Sequence, residues 1–213
     1  MNADRVRANL ERVRERIAAA AARGGRRPEE VEVCAAIKYV AVEDLGALAD
    51  AGIRVVGENR AQDLEAKVAA HGPRFTWDFI GHLQSRKVKQ VLPHVRLIHS
   101  VASDSVLAQL ERHAPPDTEV LVEVNTAGEA TKSGIAPQDL AAFVDRCPVR
   151  VGGLTTMPPL TDDPQSSRPH FAALREAAAE LGLARLSMGT TQDFEVAVEE
   201  GATIVRIGSV LYG

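Results

Sequence analysis

The chain has 213 residues, with 25 basic and 29 acidic side chains, a formal net charge of -4, 45% hydrophobic residues and a mean hydropathy of -0.10. This composition excludes disorder, and it excludes a primary attraction to nucleic acid or anionic membrane, since both call for a surplus of Lys and Arg. Cys34 and Cys147 are far apart and have no C-x-x-C neighbour, so no disulfide framework exists and a reducing compartment is expected. The first 25 residues are too charged for a signal peptide, and no apolar run reaches the roughly 18–20 residues that span a bilayer. A soluble, cytoplasmic protein is expected.

Val6, Leu10, Val13 and Ile17 recur at helical spacing, and Gly24 and Gly25 follow, which predicts an N-terminal helix within residues 1–25. Beyond it, short β-branched or apolar runs alternate with amphipathic stretches. The expected strands are 31–37, 53–56, 76–80, 95–99, 119–124, 150–154, 184–187 and 203–207. The intervening helical stretches are 42–51, 61–70, 104–113, 137–145, 168–181 and 192–200. Residues 157–169, rich in Pro, Asp and Ser, read as a surface loop. Eight units at nearly even spacing predict an α/β fold, a single (β/α)8 TIM-type barrel over 31–213 preceded by the helix, with 1–213 forming one domain. An open doubly wound sheet fits less well, because no G-x-G-x-x-G follows the first strand.

In such a barrel the chemistry sits at the C-terminal ends of the strands. Those positions hold Lys38, Glu58-Asn59, Gly81-His82, Ser100, Asn125, Thr155-Thr156, the segment from Ser187 through Met188 and Gly189 to Thr191, and Gly208-Ser209. Glu58 alone is acidic, so a two-carboxylate mechanism has no pair, and the histidines lack metal-ligand spacing. A lysine, hydroxyls, glycines and one arginine suit an aldehyde cofactor carrying a phosphate. Lys38 follows an apolar run and fits either a Schiff-base nucleophile or an ordinary strand-end surface lysine. Arg206 shares a strand face with Ile204 and Gly208 and is expected to point into the barrel, its acceptor being either a carboxylate such as Glu58 or a ligand atom. The segments after strands seven and eight fit a phosphate site or, equally, an N-cap and tight turn.

Six segments, in order, carry a resemblance: Ala36-Ile37-Lys38-Tyr39, Gly57-Glu58-Asn59-Arg60-Ala61-Gln62, Phe79-Ile80-Gly81-His82-Leu83-Gln84, Lys132-Ser133-Gly134, Leu186-Ser187-Met188-Gly189 and Val205-Arg206-Ile207-Gly208. With them the chain resembles the pyridoxal 5'-phosphate (PLP) homeostasis proteins, whose barrel is similar to the N-terminal domain of bacterial alanine racemase. The resemblance implies that Lys38 carries PLP as a covalent internal aldimine with Asn59 beside it. It also implies that Ser187, Gly189, Gly208 and Ser209 cradle the phosphate, with Met188 among the binding residues, and that Arg206 approaches the pyridine nitrogen. An arginine there weakens the ring as an electron sink and discourages carbanion chemistry. The implied function is intracellular PLP homeostasis with little or no turnover, with PLP and PLP-requiring apo-enzymes as partners.

Ile37, Arg86-Lys87 and Thr155 depart from the family pattern, and the chain stops soon after strand eight, where the N-terminal helix is expected to cover the barrel. The alternative activity is a PLP-dependent amino-acid racemase. Two-base racemisation needs a second acid/base, and neither Tyr39, next to the lysine, nor Tyr212, at the terminus, is expected to serve. Nucleic-acid binding through Arg23, Arg26 and Arg27 or Arg86, Lys87 and Lys89 is disfavoured by the acidic balance, and these are expected to form solvated helix faces. Lys132 fits either a secondary cofactor contact or a solubilising loop residue. A monomer is the expected state.

Overall fold

The computed structural model describes residues 1–128 and 133–213, so Lys132 lies outside the described residues. Eight parallel strands close into a barrel in sequence order, β1 (Glu32–Ala36), β2 (Val55–Glu58), β3 (Thr76–Phe79), β4 (Leu97–Val101), β5 (Glu119–Glu123), β6 (Arg150–Thr155), β7 (Arg185–Thr190) and β8 (Ile204–Ile207). Closure is made by β8 against β1, with Cys34 opposite Arg206. Helix α1 (Ala3–Arg23) precedes the barrel. Around it run α2 (Leu45–Asp50), α3 (Ala61–His71), α4 (Val88–Val91), α5 (Asp104–His113), α6 (Leu140–Asp145), α7 (Arg168–Glu180), α8 (Phe194–Glu199) and α9 (Ser209–Tyr212). This is the (β/α)8 architecture.

Helix α1 buries Val6, Leu10, Val13 and Ile17 on one stripe and packs against α8, α9 and α2. It therefore lies along the side of the barrel, in the slot of the helix ring between α8 and α2, rather than across an end. Asn2 caps its start, and Gly24 with Gly25, at φ +67°, ends it. Only the four-residue α9 follows β8. The helix after β3 is short, since α4 is a single turn between two 3-10 turns, with Pro93 ending the apolar pattern.

Alternation along the strands sorts the side chains into two layers. Trp77, Phe79, Leu186, Met188, Val205 and Ile207 pack outward against the helices. Cys34, Leu97, Leu121 and Ile204 form a small apolar plug inside the barrel. Above and beside that plug the interior is polar. Asp78, His99, Ser187 and Arg206 are all buried there.

Three of the basic residues weighed for nucleic acid are engaged within the chain. Arg23 pairs with Glu195 and Glu199, Arg26 donates to the carbonyls of Val198 and Ala202, and Arg27 pairs with Glu30. Among the described residues no helix is long and apolar enough to cross a membrane.

Candidate functional site

Lys38 stands two residues past β1 in a turn closed by the Val40 N–H donating to the Ile37 carbonyl at 3.0 Å. Lys38 is exposed, and its Nζ lies 4.7 Å from the centroid of the Tyr39 ring. It opens on a cavity of about 660 Å³ at the C-terminal end of the barrel, whose wall also includes Asn59, Arg206, Gly208 and Ser209. Five of the expected site residues are thus brought together by the ends of β1, β2 and β8.

Asn59 is held by its neighbours. Glu58 Oε1 accepts the N–H groups of Asn59 at 2.5 Å and Arg60 at 3.1 Å, which bends the chain off β2. Gly81 lies against this bend so closely that a Cβ there would stand 2.1 Å from the Asn59 carbonyl oxygen. Asn59 Oδ1 is buried and has no hydrogen-bond partner among the described residues, an acceptor left for a ligand donor.

Arg206 points into the barrel, as its strand face predicts, but among the described residues its acceptors are neither Glu58 nor any other carboxylate. Its Nη1 donates to Thr155 Oγ1 (2.8 Å), the Ser187 carbonyl (2.7 Å) and Ser187 Oγ (2.6 Å), and its Nη2 donates to the Thr156 carbonyl (3.0 Å) and Met157 Sδ (2.8 Å). Thr155, one of the departures from the family pattern, is therefore an arginine anchor. The Nε–H makes no hydrogen bond to a described residue, so one donor remains for the cavity that Arg206 lines. Burial pulls the guanidinium below its ordinary value, yet an arginine this basic remains charged.

A polar chain supports that arginine from below. Ser187 Oγ lies 2.8 Å from His99 Nδ1, and His99 Nε2 lies 3.2 Å from Asp78 Oδ2. Because the carboxylate only accepts, the imidazole proton belongs on Nε2, and Ser187 donates to Nδ1. Burial holds His99 below the ordinary histidine range, consistent with a neutral ring. Asp78 is gripped in turn by Arg96, which also pairs with Glu32.

The segment Ser187-Met188-Gly189 is not brought to the cavity. Strand β7 runs to Thr190, three residues past the expected end, and a register shift against β8 lies between Ser187 and Thr190. Ser187 is spent on His99 and Arg206, and Met188 packs outward in the helix layer. Gly189, at φ +89°, admits α8, since a Cβ there would meet Ala197 Cβ at 2.5 Å. The residues of this turn that line the cavity are Thr190, Thr191 and Gln192, with Thr191 Oγ1 accepting the Gly208 N–H at 3.1 Å.

Tyr212 and Lys67, neither of them expected at the site from sequence, belong to the same construction. Tyr212 lines the cavity and donates its hydroxyl to the Ala36 carbonyl at 3.2 Å, and burial raises its phenol far above the ordinary value. Lys67 is buried against Glu58 with Nζ–Oε2 2.5 Å. Its signal was a lysine three residues after Leu64 on the inward face of a predicted helix. A second cavity of about 430 Å³ adjoins the first, sharing Asn59, Ile80, Met157 and Arg206 and adding His82, Glu123 and Ser133.

The donor set fits a phosphorylated pyridine aldehyde: an amine for the carbonyl, an orphan acceptor for a ring hydroxyl, an arginine N–H for the ring nitrogen, and hydroxyls at Ser209 and Thr191 for an anion. The sequence model for the alanine racemase N-terminal domain matches residues 1–213. A pyridoxal phosphate homeostasis protein of Aquifex aeolicus is 41% identical over 218 residues, 96% of each chain. The structure of PipY from Synechococcus elongatus with PLP bound is similar at a TM-score of 0.82 and 29% identity, over 98% of this chain and 100% of that one. An alanine racemase of Clostridium difficile shares the fold, with a TM-score of 0.75 at 16% identity, and this chain covers 57% of it.

Proposed function

The chain belongs to the pyridoxal phosphate homeostasis protein family, and on that footing we propose that it binds PLP as a Schiff base on Lys38 and holds it for release with little or no turnover. The observation that carries this reading is the meeting of Lys38, the orphan Asn59 oxygen, the uncommitted Arg206 Nε–H and Ser209 in one cavity. When bound, PLP supplies an aldehyde for reversible attachment and a pyridine ring able to withdraw electrons. This chain's residues restrain the second property. Arg206 offers a hydrogen bond to the ring nitrogen without giving up its proton, so the nitrogen stays uncharged.

Racemase chemistry would need a base opposite Lys38. Tyr212 is in the cavity, but its proton is committed to the Ala36 carbonyl and burial opposes its ionisation. Release to PLP-requiring apo-enzymes is supported by the rim: Tyr39 and Met157, both exposed, stand at the cavity mouth, with exposed Leu160 at the adjoining one. We propose that the chain acts there as a monomer.

The test is to incubate the purified protein with PLP, reduce with borohydride and map the adduct by peptide mass. A pyridoxyl group on Lys38 is the expected result; an adduct spread over other lysines would overturn the assignment. A chiral assay on alanine and serine accompanies it, and rapid interconversion of enantiomers would replace holding by racemisation. Gly81→Ala gives a further check on Asn59. The added methyl must displace the Asn59 backbone, and PLP affinity by absorbance titration is expected to fall about tenfold, the loss of roughly one ligand hydrogen bond.

A further inference from the structure

Beyond the residues that face the cavity, Lys67 of α3 reaches the lysine turn from behind. Lys67 is 4% exposed and Glu58 0%. Lys67 Nζ donates to Glu58 Oε2 at 2.5 Å and to the Ile37 carbonyl at 2.7 Å. That carbonyl belongs to the residue before Lys38 and already accepts the Val40 N–H, so Lys67 fills its second acceptor position. Glu58, through its other oxygen, holds the amides of Asn59 and Arg60.

The two ends are also joined by the backbone, with the Ile37 N–H donating to the Gly57 carbonyl at 3.0 Å. The sheet fixes the strands, however, and not the turns beyond their ends. Ile37 and Val40 anchor the two ends of the turn in the core, but Lys38 and Tyr39 between them are exposed, so the tip of the turn is not held by packing. A buried lysine is costly for a fold unless it is fully paired, and here its partners are the two segments that present Lys38 and Asn59. A leucine at position 67 would satisfy the core.

We propose that Lys67 and Glu58 are positioning residues that clamp the Lys38 turn to the Asn59 turn, setting the reach of the lysine to the carbonyl that Asn59 and Arg206 orient. The inference rests on the PLP reading and adds to it a residue pair that touches no part of the cofactor. Neither catalysis nor ligand contact is assigned to it.

The experiment uses the full chain with PLP, reading the affinity, the visible circular dichroism of the bound cofactor and the share of borohydride-trapped adduct on Lys38. In Lys67→Met, affinity is expected to fall roughly tenfold, as for one lost charge-assisted hydrogen bond, with the dichroism weakened in step. Lys67→Met also strands a buried carboxylate, so Glu58→Gln/Lys67→Met is measured beside it, which leaves no buried charge while still removing the donor to Ile37. The same loss in the double variant at an unchanged thermal midpoint supports the clamp. Wild-type affinity and dichroism in the folded double variant would overturn it. If the wild-type protein itself yields no Lys38 adduct, the PLP reading has failed instead.

Discussion

Replacing Lys38 with alanine is expected to abolish the visible absorbance that PLP develops on the wild-type protein, while leaving the fold intact. Lys38 is exposed and lies outside every strand and helix, and its ammonium rests over the Tyr39 ring. An exposed substitution of this kind changes stability by no more than about 0.5 kcal/mol. The thermal midpoint should therefore stay within about 2 °C. The remaining groups at Asn59, Arg206 and Ser209 would still bind PLP noncovalently. Residual, spectrally silent binding by equilibrium dialysis is thus expected, and phosphate-free pyridoxal should bind more weakly than PLP. An undiminished visible band in Lys38→Ala would place the attachment on another amine.

The largest loss of stability is expected from Asp78→Ala. Asp78 is fully buried and accepts from Arg96 Nε at 3.1 Å, from Arg96 Nη2 at 2.7 Å and from His99 Nε2 at 3.2 Å. Alanine leaves the His99 N–H without an acceptor and Arg96 dependent on Glu32. Breaking a buried charged contact costs about 3–5 kcal/mol, and discounting for the partial exposure of Arg96 leaves about 2–4 kcal/mol. For a chain of this size, that lowers the thermal midpoint by roughly 5–15 °C in calorimetry or dichroism melts. Asp78→Asn, which keeps one acceptor oxygen, should fall between. The loss is expected to reach the site as well, because His99 can no longer be fixed in the tautomer that receives the Ser187 proton. A midpoint within about 2 °C of wild type for Asp78→Ala would show that the interior chain is not under tension to be paired.

The architecture was legible because its signal is local. Apolar runs and amphipathic stretches repeat along the chain, and seven of the eight strands, all but β7, end within two residues of expectation. Lys38 and Arg206 were legible for a related reason: a strand end and a two-residue alternation suffice to aim them. Strand β7 exceeded its expected length because Gly189, Thr190 and Thr191 read as a turn, whereas the strand continues past Ser187 through Gly189 to Thr190. Of the segment 187–191 expected at the strand's end, Thr190 and Thr191 line the cavity, while Ser187, Met188 and Gly189 remain within the strand. Arg206's acceptors were missed because Thr155 and Ser187 meet it only where β6 and β7 lie beside β8 in the folded sheet. His99, Asp78 and Lys67 were missed on the same ground, since each has its partner on a different strand or helix.

The barrel closes between its first and last strands, and Lys38 stands on one side of that seam while Arg206, Gly208 and Ser209 stand on the other. Tyr212 reaches back to Ala36 across 176 positions, and Asn9 of α1 donates to the carbonyls of Leu211 and Gly213. A ribosome delivers Lys38 early, but a partly synthesised chain has no Arg206, no Ser209 and no closed wall to set beside it. On the PLP reading proposed above, competence for the cofactor is an attribute of the closed barrel, and a chain cut before β8 would carry Lys38 without Arg206, Gly208 or Ser209. On that same reading, bound cofactor would bridge the seam between the first and last strands, so its occupancy should slow the opening of the barrel there.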